Sequence, residues 1–120
     1  MTKTLSKKFD LEERTFIFAK DCREFVKNLP RTIANFEDIK QLVRASGSVG
    51  ANYIEANEAL SKKDFIHRIK ISRKEAKESR YFLRLIDTGG NKHQDVGIEK
   101  LVQEATELMN IFGSIIRKSE

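Results

Sequence analysis

A chain of 120 residues is sized for one domain with a modest core. Its 39% hydrophobic and 34% charged residues, with one proline and no tryptophan, suit amphipathic helices with a solvated side better than a sheet protein. No window approaches 18 uninterrupted apolar residues, the N-terminal MTKTLSKKFDLEER lacks the apolar core of a signal peptide, and a lone Cys22 supports neither an internal disulfide framework nor metal-ligand spacing. The expectation is a soluble cytoplasmic protein with no membrane association.

Residues 1–9 read as a flexible basic tail, ahead of a single domain over 10–118. Asp10-Leu11-Glu12-Glu13 has the form of a capping box, so helix 1 is expected from about 10 to 29. Its apolar side carries Thr15, Phe18, Cys22, Phe25, Val26 and Leu29, which makes Cys22 a small buried hydrophobe rather than a nucleophile. Pro30 ends the helix. Asn35 is the expected N-cap of helix 2 (about 36–60), with Glu37 and Asp38 complementing the helix dipole.

Helix 2 contains the most unusual stretch, Ser46-Gly47-Ser48-Val49-Gly50-Ala51-Asn52. Ile39, Leu42, Ser46, Val49, Tyr53, Ala56 and Leu60 step by 3 and 4 through it, as a packed helical seam does. Neither G-x-x-x-x-G-K-[ST] nor G-x-G-x-x-G is present, so a phosphate-cradling loop is the weaker reading. Each glycine in a helix interior costs about 1 kcal/mol relative to alanine, which implies close packing or a bend there.

Ser61-Lys62-Lys63-Asp64 is a second capping box and opens helix 3 (about 62–87) directly after helix 2. Thr88-Gly89-Gly90 stops it, GGNKHQD is the main loop, and helix 4 (about 95–118) repeats the 3 and 4 spacing at Ile98, Leu101, Ala105, Leu108, Phe112 and Ile115. The expected fold is all-α, an up-down-up-down antiparallel four-helix bundle.

Residues 61–88 hold nine Lys/Arg against four Asp/Glu, which accounts for an excess equal to the net charge of +5. At 100° per residue, Phe65, Ile69, Ser72, Ala76, Ser79 and Leu83 face the core. Lys63, His67, Lys70, Lys74, Lys77, Tyr81 and Arg84 share the opposite side. Such a stripe suits a phosphate backbone, with Tyr81 available for stacking, or it is simply the solvated face of the bundle.

Between these faces lie Ile71, Phe82 and Leu85, bordered by Glu75 and Glu78, a flank expected to mediate self-association. Pairing helices 2 and 3 about Ser61 predicts a polar network of Ser48, Asn52, Ser72 and Glu75 that sets their register. Chemistry has little foothold. Di-metal bundles need Glu-x-x-His on two helices and none occurs; His67 lies on the basic side and His93 in the loop. Carboxylates at Glu55, Glu58, Glu75 and Glu78 find no nucleophile or base converging with them, so no enzyme, cofactor or metal is expected.

From Leu29 to Ile86 the chain closely resembles the bacterial four-helix-bundle family named for proteins encoded in 23S rRNA intervening sequences. The residues that carry the resemblance are Gln41-Leu42, Arg44-Ala45-Ser46, Ser48 to Ala56, Ser61 to Phe65, Lys74-Glu75-Ala76, Glu78, Arg80-Tyr81 and Leu83. The resemblance implies a ring-like homo-oligomer, a pentamer, associated with ribosomal RNA or ribosomes, and no catalytic or cofactor residues. The resulting expectation is a non-enzymatic oligomeric bundle that binds RNA through the outer face of helix 3. The alternative is a protein–protein adaptor that uses the apolar flank of that helix and has no nucleic-acid role.

Overall fold

The structure, a computed structural model, describes residues 3–120, with side chains from Leu11 onward. Four α-helices account for nearly all of it: α1 (Lys3–Phe25), α2 (Ile33–Asn57), α3 (Lys62–Leu85) and α4 (Lys92–Ser119), with a short 3-10 turn at Val26–Asn28. The described residues contain no strand. Each helix packs against its chain neighbours, and α4 returns to α1. Residue numbers fall along one helix as they rise along the next. Thr15 lies against Gly50 and Arg23 against Gly47 between α1 and α2. Arg44 meets Glu78 while Arg68 meets Asn52 between α2 and α3. Arg73 lies at Gly113 while Arg80 meets Thr106 between α3 and α4, and Arg14 meets Glu104 while Phe25 lies at Gly97 between α1 and α4, so every adjacent pair is antiparallel.

The helix ends differ from the sequence expectations in informative ways. Backbone helix runs from Lys3 through Asp10, so α1 begins ahead of the expected start at residue 10 and Asp10 lies within it; Met1 and Thr2 of the expected tail lie outside the described residues. No proline or glycine precedes Asp10, and nothing in the local sequence stops propagation there. Thr32, not Asn35, caps α2, its hydroxyl accepting from the Asn35 N–H at 3.1 Å. At the other end α2 stops at Asn57, which leaves Leu60 in the link and fully exposed rather than on the seam.

Ser61 does cap α3, accepting from the Asp64 N–H at 3.0 Å. Leu85 ends that helix and Ile86 is already extended. Gly89 and Gly90 then take positive φ of 65° and 82°, which a side chain would disfavour. Asn91 caps α4, accepting from the Gln94 N–H at 3.0 Å, so Lys92 to Asp95 form its first turn rather than loop.

Phe18, Leu42, Ile69, Leu83, Leu108 and Phe112 are completely enclosed in the shared core, each contributing about 1.5–3 kcal/mol of apolar burial. Tyr53 tilts against Phe112 with ring centroids 6.1 Å apart. Cys22 is buried beside Ser46, and burial pushes its thiol up to about 12. The small-residue stretch is mid-helix, and its close neighbour is α1. A Cβ on Gly50 would stand 2.9 Å from Thr15 Oγ1 and 3.2 Å from Thr15 Cβ.

A buried tie closes one end of the bundle. Asn35 donates through Nδ2 to the carbonyls of Pro30 (3.0 Å) and Asp87 (2.8 Å) and accepts from the Asp87 N–H at 3.0 Å. Three backbone groups of two separate connections are thereby satisfied by one side chain. On the opposite flank Arg14 forks onto Glu104 at 2.7 and 2.8 Å and reaches Glu107 at 2.6 Å, joining α1 to α4. These contacts hold the Arg14 guanidinium above its ordinary pKa.

Candidate nucleic-acid interface

Helix α3 starts cleanly at the Ser61 cap, and its buried side is Ile69, Ser72, Glu75, Ala76, Ser79 and Leu83. Because that side is fixed between α2 and α4, the orientation of the other side follows. Lys63, His67, Lys70, Lys74, Lys77, Tyr81 and Arg84 are all exposed. From Lys63 to Arg84 the stripe is about 31 Å long at the α-helical rise. Among the described residues none of its five cations lies within ion-pair distance of a carboxylate. The charge is therefore available to an outside anion rather than spent within the bundle.

The positive surface also turns the corner toward α4. Arg73 and Arg117 both lie over Gly113, their guanidinium nitrogens 3.8 and 3.4 Å from the position a Cβ would take. Lys118 is exposed beside them in sequence. Arg80 reaches across to donate to Thr106 Oγ1 at 3.3 Å. Helical-wheel reasoning on α3 alone misses this extension, because the two helices that build it are separated by the Gly89–Gly90 turn. The basic pair at 117–118 was its only sequence signal.

The flank assigned to self-association divides in two. Ile71 and Phe82 are half-buried and Leu85 is 48% exposed, so an apolar edge does remain on the surface. Glu75 and Glu78, by contrast, turn toward Arg44 of the same chain, at 3.7 and 3.1 Å. Glu75 is buried and its Oε1 has no hydrogen-bond partner among the described residues. Burial first, then repulsion by Glu78, raises its pKa, while Arg44 opposes the shift.

The expected network of Ser48, Asn52, Ser72 and Glu75 is not formed as such. Ser72 donates to the Val49 carbonyl at 3.0 Å, and Ser48 to the Arg44 carbonyl at 3.0 Å. Asn52 donates to the Ser48 carbonyl at 2.9 Å and accepts from Arg68 at 3.3 Å. Asn52, Ser72 and Glu75 each contact the facing helix while Ser48 bonds within α2, and short side chains on helices find backbone carbonyls before they find one another. Register is set instead by the Ser72 bond to Val49 and by the Arg68–Asn52 contact.

Two of the surface depressions have aromatic or apolar walls. One, of about 520 Å³, lies between α2 and α3 where the stripe meets the flank, and Tyr81 and Phe82 contribute its aromatic wall. The other, of about 570 Å³, sits at the α1–α2 turn among Val26, Leu29, Pro30, Ile33, Phe36 and Ile39. There Ile33 is 88% and Phe36 61% exposed. Placing the start of α2 at Asn35 hid this second apolar surface from the sequence reading. Among the described residues, no three of His, Cys, Asp and Glu gather where they could hold a metal ion. No described helix is long and apolar enough to cross a membrane.

Comparison with known proteins agrees with this architecture. A family model described as "23S rRNA-intervening sequence protein" matches residues 7–114. A crystal structure of a protein of unknown function from the S23 ribosomal protein family of Bacteroides thetaiotaomicron VPI-5482 superposes with a TM-score of 0.72. The two chains are 29% identical, and the alignment covers 88% of this chain and 96% of that one. No curated protein matches.

Proposed function

Because this chain belongs to the 23S rRNA-intervening sequence protein family, we propose that it is a non-enzymatic, homo-oligomeric bundle that binds RNA through the basic outer face of α3. The partner is ribosomal RNA or ribosome-associated RNA in the cytoplasm, and the assembly is the ring-like pentamer that the resemblance implies. One observation carries the reading: five cations, unpaired among the described residues, and an exposed tyrosine form a single line about 31 Å long on a rigid helix.

Binding of this kind is dominated by counterion release. With five phosphate contacts the logarithm of affinity should fall with the logarithm of salt at a slope of roughly −3.5 on single-stranded RNA and −4.5 on a duplex. The decisive variant is Lys70→Glu/Lys74→Glu/Lys77→Glu, whose three positions are exposed and bear no buried contact. It should fold and assemble as the parent does, by circular dichroism and native mass, and lose RNA binding. Undiminished binding by that variant would remove the platform.

A second reading is favoured by the apolar surfaces. Phe82 and Leu85 on the α3 flank, with Ile33 and Phe36 at the α1–α2 turn, suit a protein adaptor. Recovery of one stoichiometric protein partner after nuclease treatment, with no RNA retained by the parent protein, would favour it.

A further inference from the structure

Resting on the RNA-binding reading, we propose that the α2–α3 cleft beside Tyr81 is a docking site for an unpaired nucleobase, so that the platform selects single-stranded RNA over duplex. The cleft, about 520 Å³, is bounded by Gln41 and Arg44 on α2 and by Lys74, Lys77, Tyr81 and Phe82 on α3. Its occupant follows from three features found together. First, Tyr81 is 57% exposed and has an aromatic neighbour. Its ring and that of Phe82 form a T-shaped pair, with centroids 5.3 Å apart and planes at 81°. An aromatic with more than half of its surface open to solvent is available as a stacking surface.

Second, the ring stands inside the cationic stripe rather than beside it. Lys77 is one helical turn before Tyr81, Lys74 two turns before, and Arg84 one turn after, so phosphates on either side of a stacked base would meet a cation. Third, the one carboxylate at the mouth of the cleft, Glu78, is already held by Arg44 at 3.1 Å, which offsets its repulsion of a phosphate. The exposed amide of Gln41 then supplies a donor and an acceptor at the rim, the groups that a base edge pairs with.

Duplex RNA cannot use the ring. Its bases are stacked on one another, and its deep, narrow major groove keeps side chains from their edges. A duplex would meet the lysines and arginines, and at most offer minor-groove groups to Gln41, but no base to the ring. Single-stranded RNA meets the same cations and also the ring. Tyr81 therefore separates the two ligands, whereas the lysines serve both. An apolar peptide is a poorer occupant, since it would leave Lys74 and Lys77 facing an uncharged surface.

The test uses the full chain and two probes: an oligouridylate of about a dozen nucleotides, and a blunt RNA duplex of equal length without loops. Tyr81→Ala should weaken binding of the single strand by roughly 5- to 140-fold, the range that loss of one stacked base implies, and change duplex binding less than about twofold. Tyr81→Phe keeps the ring and should restore single-strand binding. An optical readout is independent of affinity. The chain has two tyrosines and no tryptophan, and Tyr53 is buried against Phe112. In a Tyr53→Phe background, stacking should quench the tyrosine emission on addition of oligouridylate and leave it unchanged with duplex.

Equal losses on both probes, or no loss on the single strand, would overturn the proposal while the platform stands. If the parent protein binds neither probe at low salt, the platform reading falls as well. Because Tyr81 is exposed, the alanine variant is not expected to lose its fold, and its circular dichroism and native mass provide the control.

Discussion

Gly50 offers the sharpest test of how this bundle is held together. Alanine at an ordinary helix-interior glycine should stabilise by about 1 kcal/mol through backbone entropy. At Gly50 the added Cβ would stand 2.9 Å from Thr15 Oγ1 and 3.2 Å from Thr15 Cβ, with the Thr15 backbone carbonyl carbon at 3.7 Å. Thr15 has no easy escape. It is 1% exposed, and its hydroxyl already donates to the Glu12 carbonyl at 2.9 Å. Relief requires α1 to back away from α2, an overpacking cost of about 1–3 kcal/mol that cancels or exceeds the entropic gain.

Gly47 is the internal control on the same helix. Its added Cβ would meet only the guanidinium end of exposed Arg23, at 3.1 Å, and a long side chain can swing aside. Gly47→Ala should therefore be neutral or stabilising by up to about 1 kcal/mol, less the 3.3 Å contact from Arg23 to the Val43 carbonyl. Gly50→Ala should be less stable than Gly47→Ala by about 1–3 kcal/mol, and Gly50→Leu worse still. Urea unfolding followed by circular dichroism, at matched protein concentration, measures both. If Gly50→Ala gains as much stability as Gly47→Ala, then α1 does not press on α2 at this point and the packing described is wrong.

Two further outcomes are expected. Asn35→Ala should destabilise by about 2–3 kcal/mol, since it strips buried partners from Pro30, Asp87 and the Asp87 N–H; Asn35→Asp should not rescue it, because a carboxylate cannot donate to two carbonyls. Unchanged urea midpoints in both variants would show the tie to be dispensable. Glu75 governs a pH dependence. Its folded pKa is raised above 4.5, chiefly by burial, so the folded state holds the proton more tightly than the unfolded chain does. That contribution is complete below 4.5 and declines as pH rises through the folded value. Glu75→Gln should flatten the decline, and a variant whose stability falls with pH just as the parent's does would refute the assignment.

The differences between sequence and structure have a common origin. Periodicity located the buried side of each helix, because a side chain's direction repeats every 3.6 residues whatever lies opposite. Hence Phe18, Cys22, Leu42, Ser46, Val49, Ile69, Ser72 and Leu83 were legible as core. The Ser61 cap and the Gly89–Gly90 stop were legible too, since their signals are local. Thr32 and Asn35 are both good N-caps by type, and what separates them is Asp87, a residue 52 positions away. The basic stripe was visible as a helical face, whereas its continuation through Arg73, Arg117 and Lys118 required two helices to be placed side by side.

The sequence by itself determined four amphipathic helices, their order, the antiparallel sense that short links impose, and a basic face on α3 opposite its core face. Only the tertiary structure decided which neighbour each face meets. It set Gly50 against Thr15 of α1 rather than against α3, and it turned Glu75 and Glu78 toward Arg44 of their own chain. It also left Tyr81 uncovered at the rim of a cleft. Helix periodicity is a property of one segment, while contact, burial of charge and the shape of a cleft are properties of pairs.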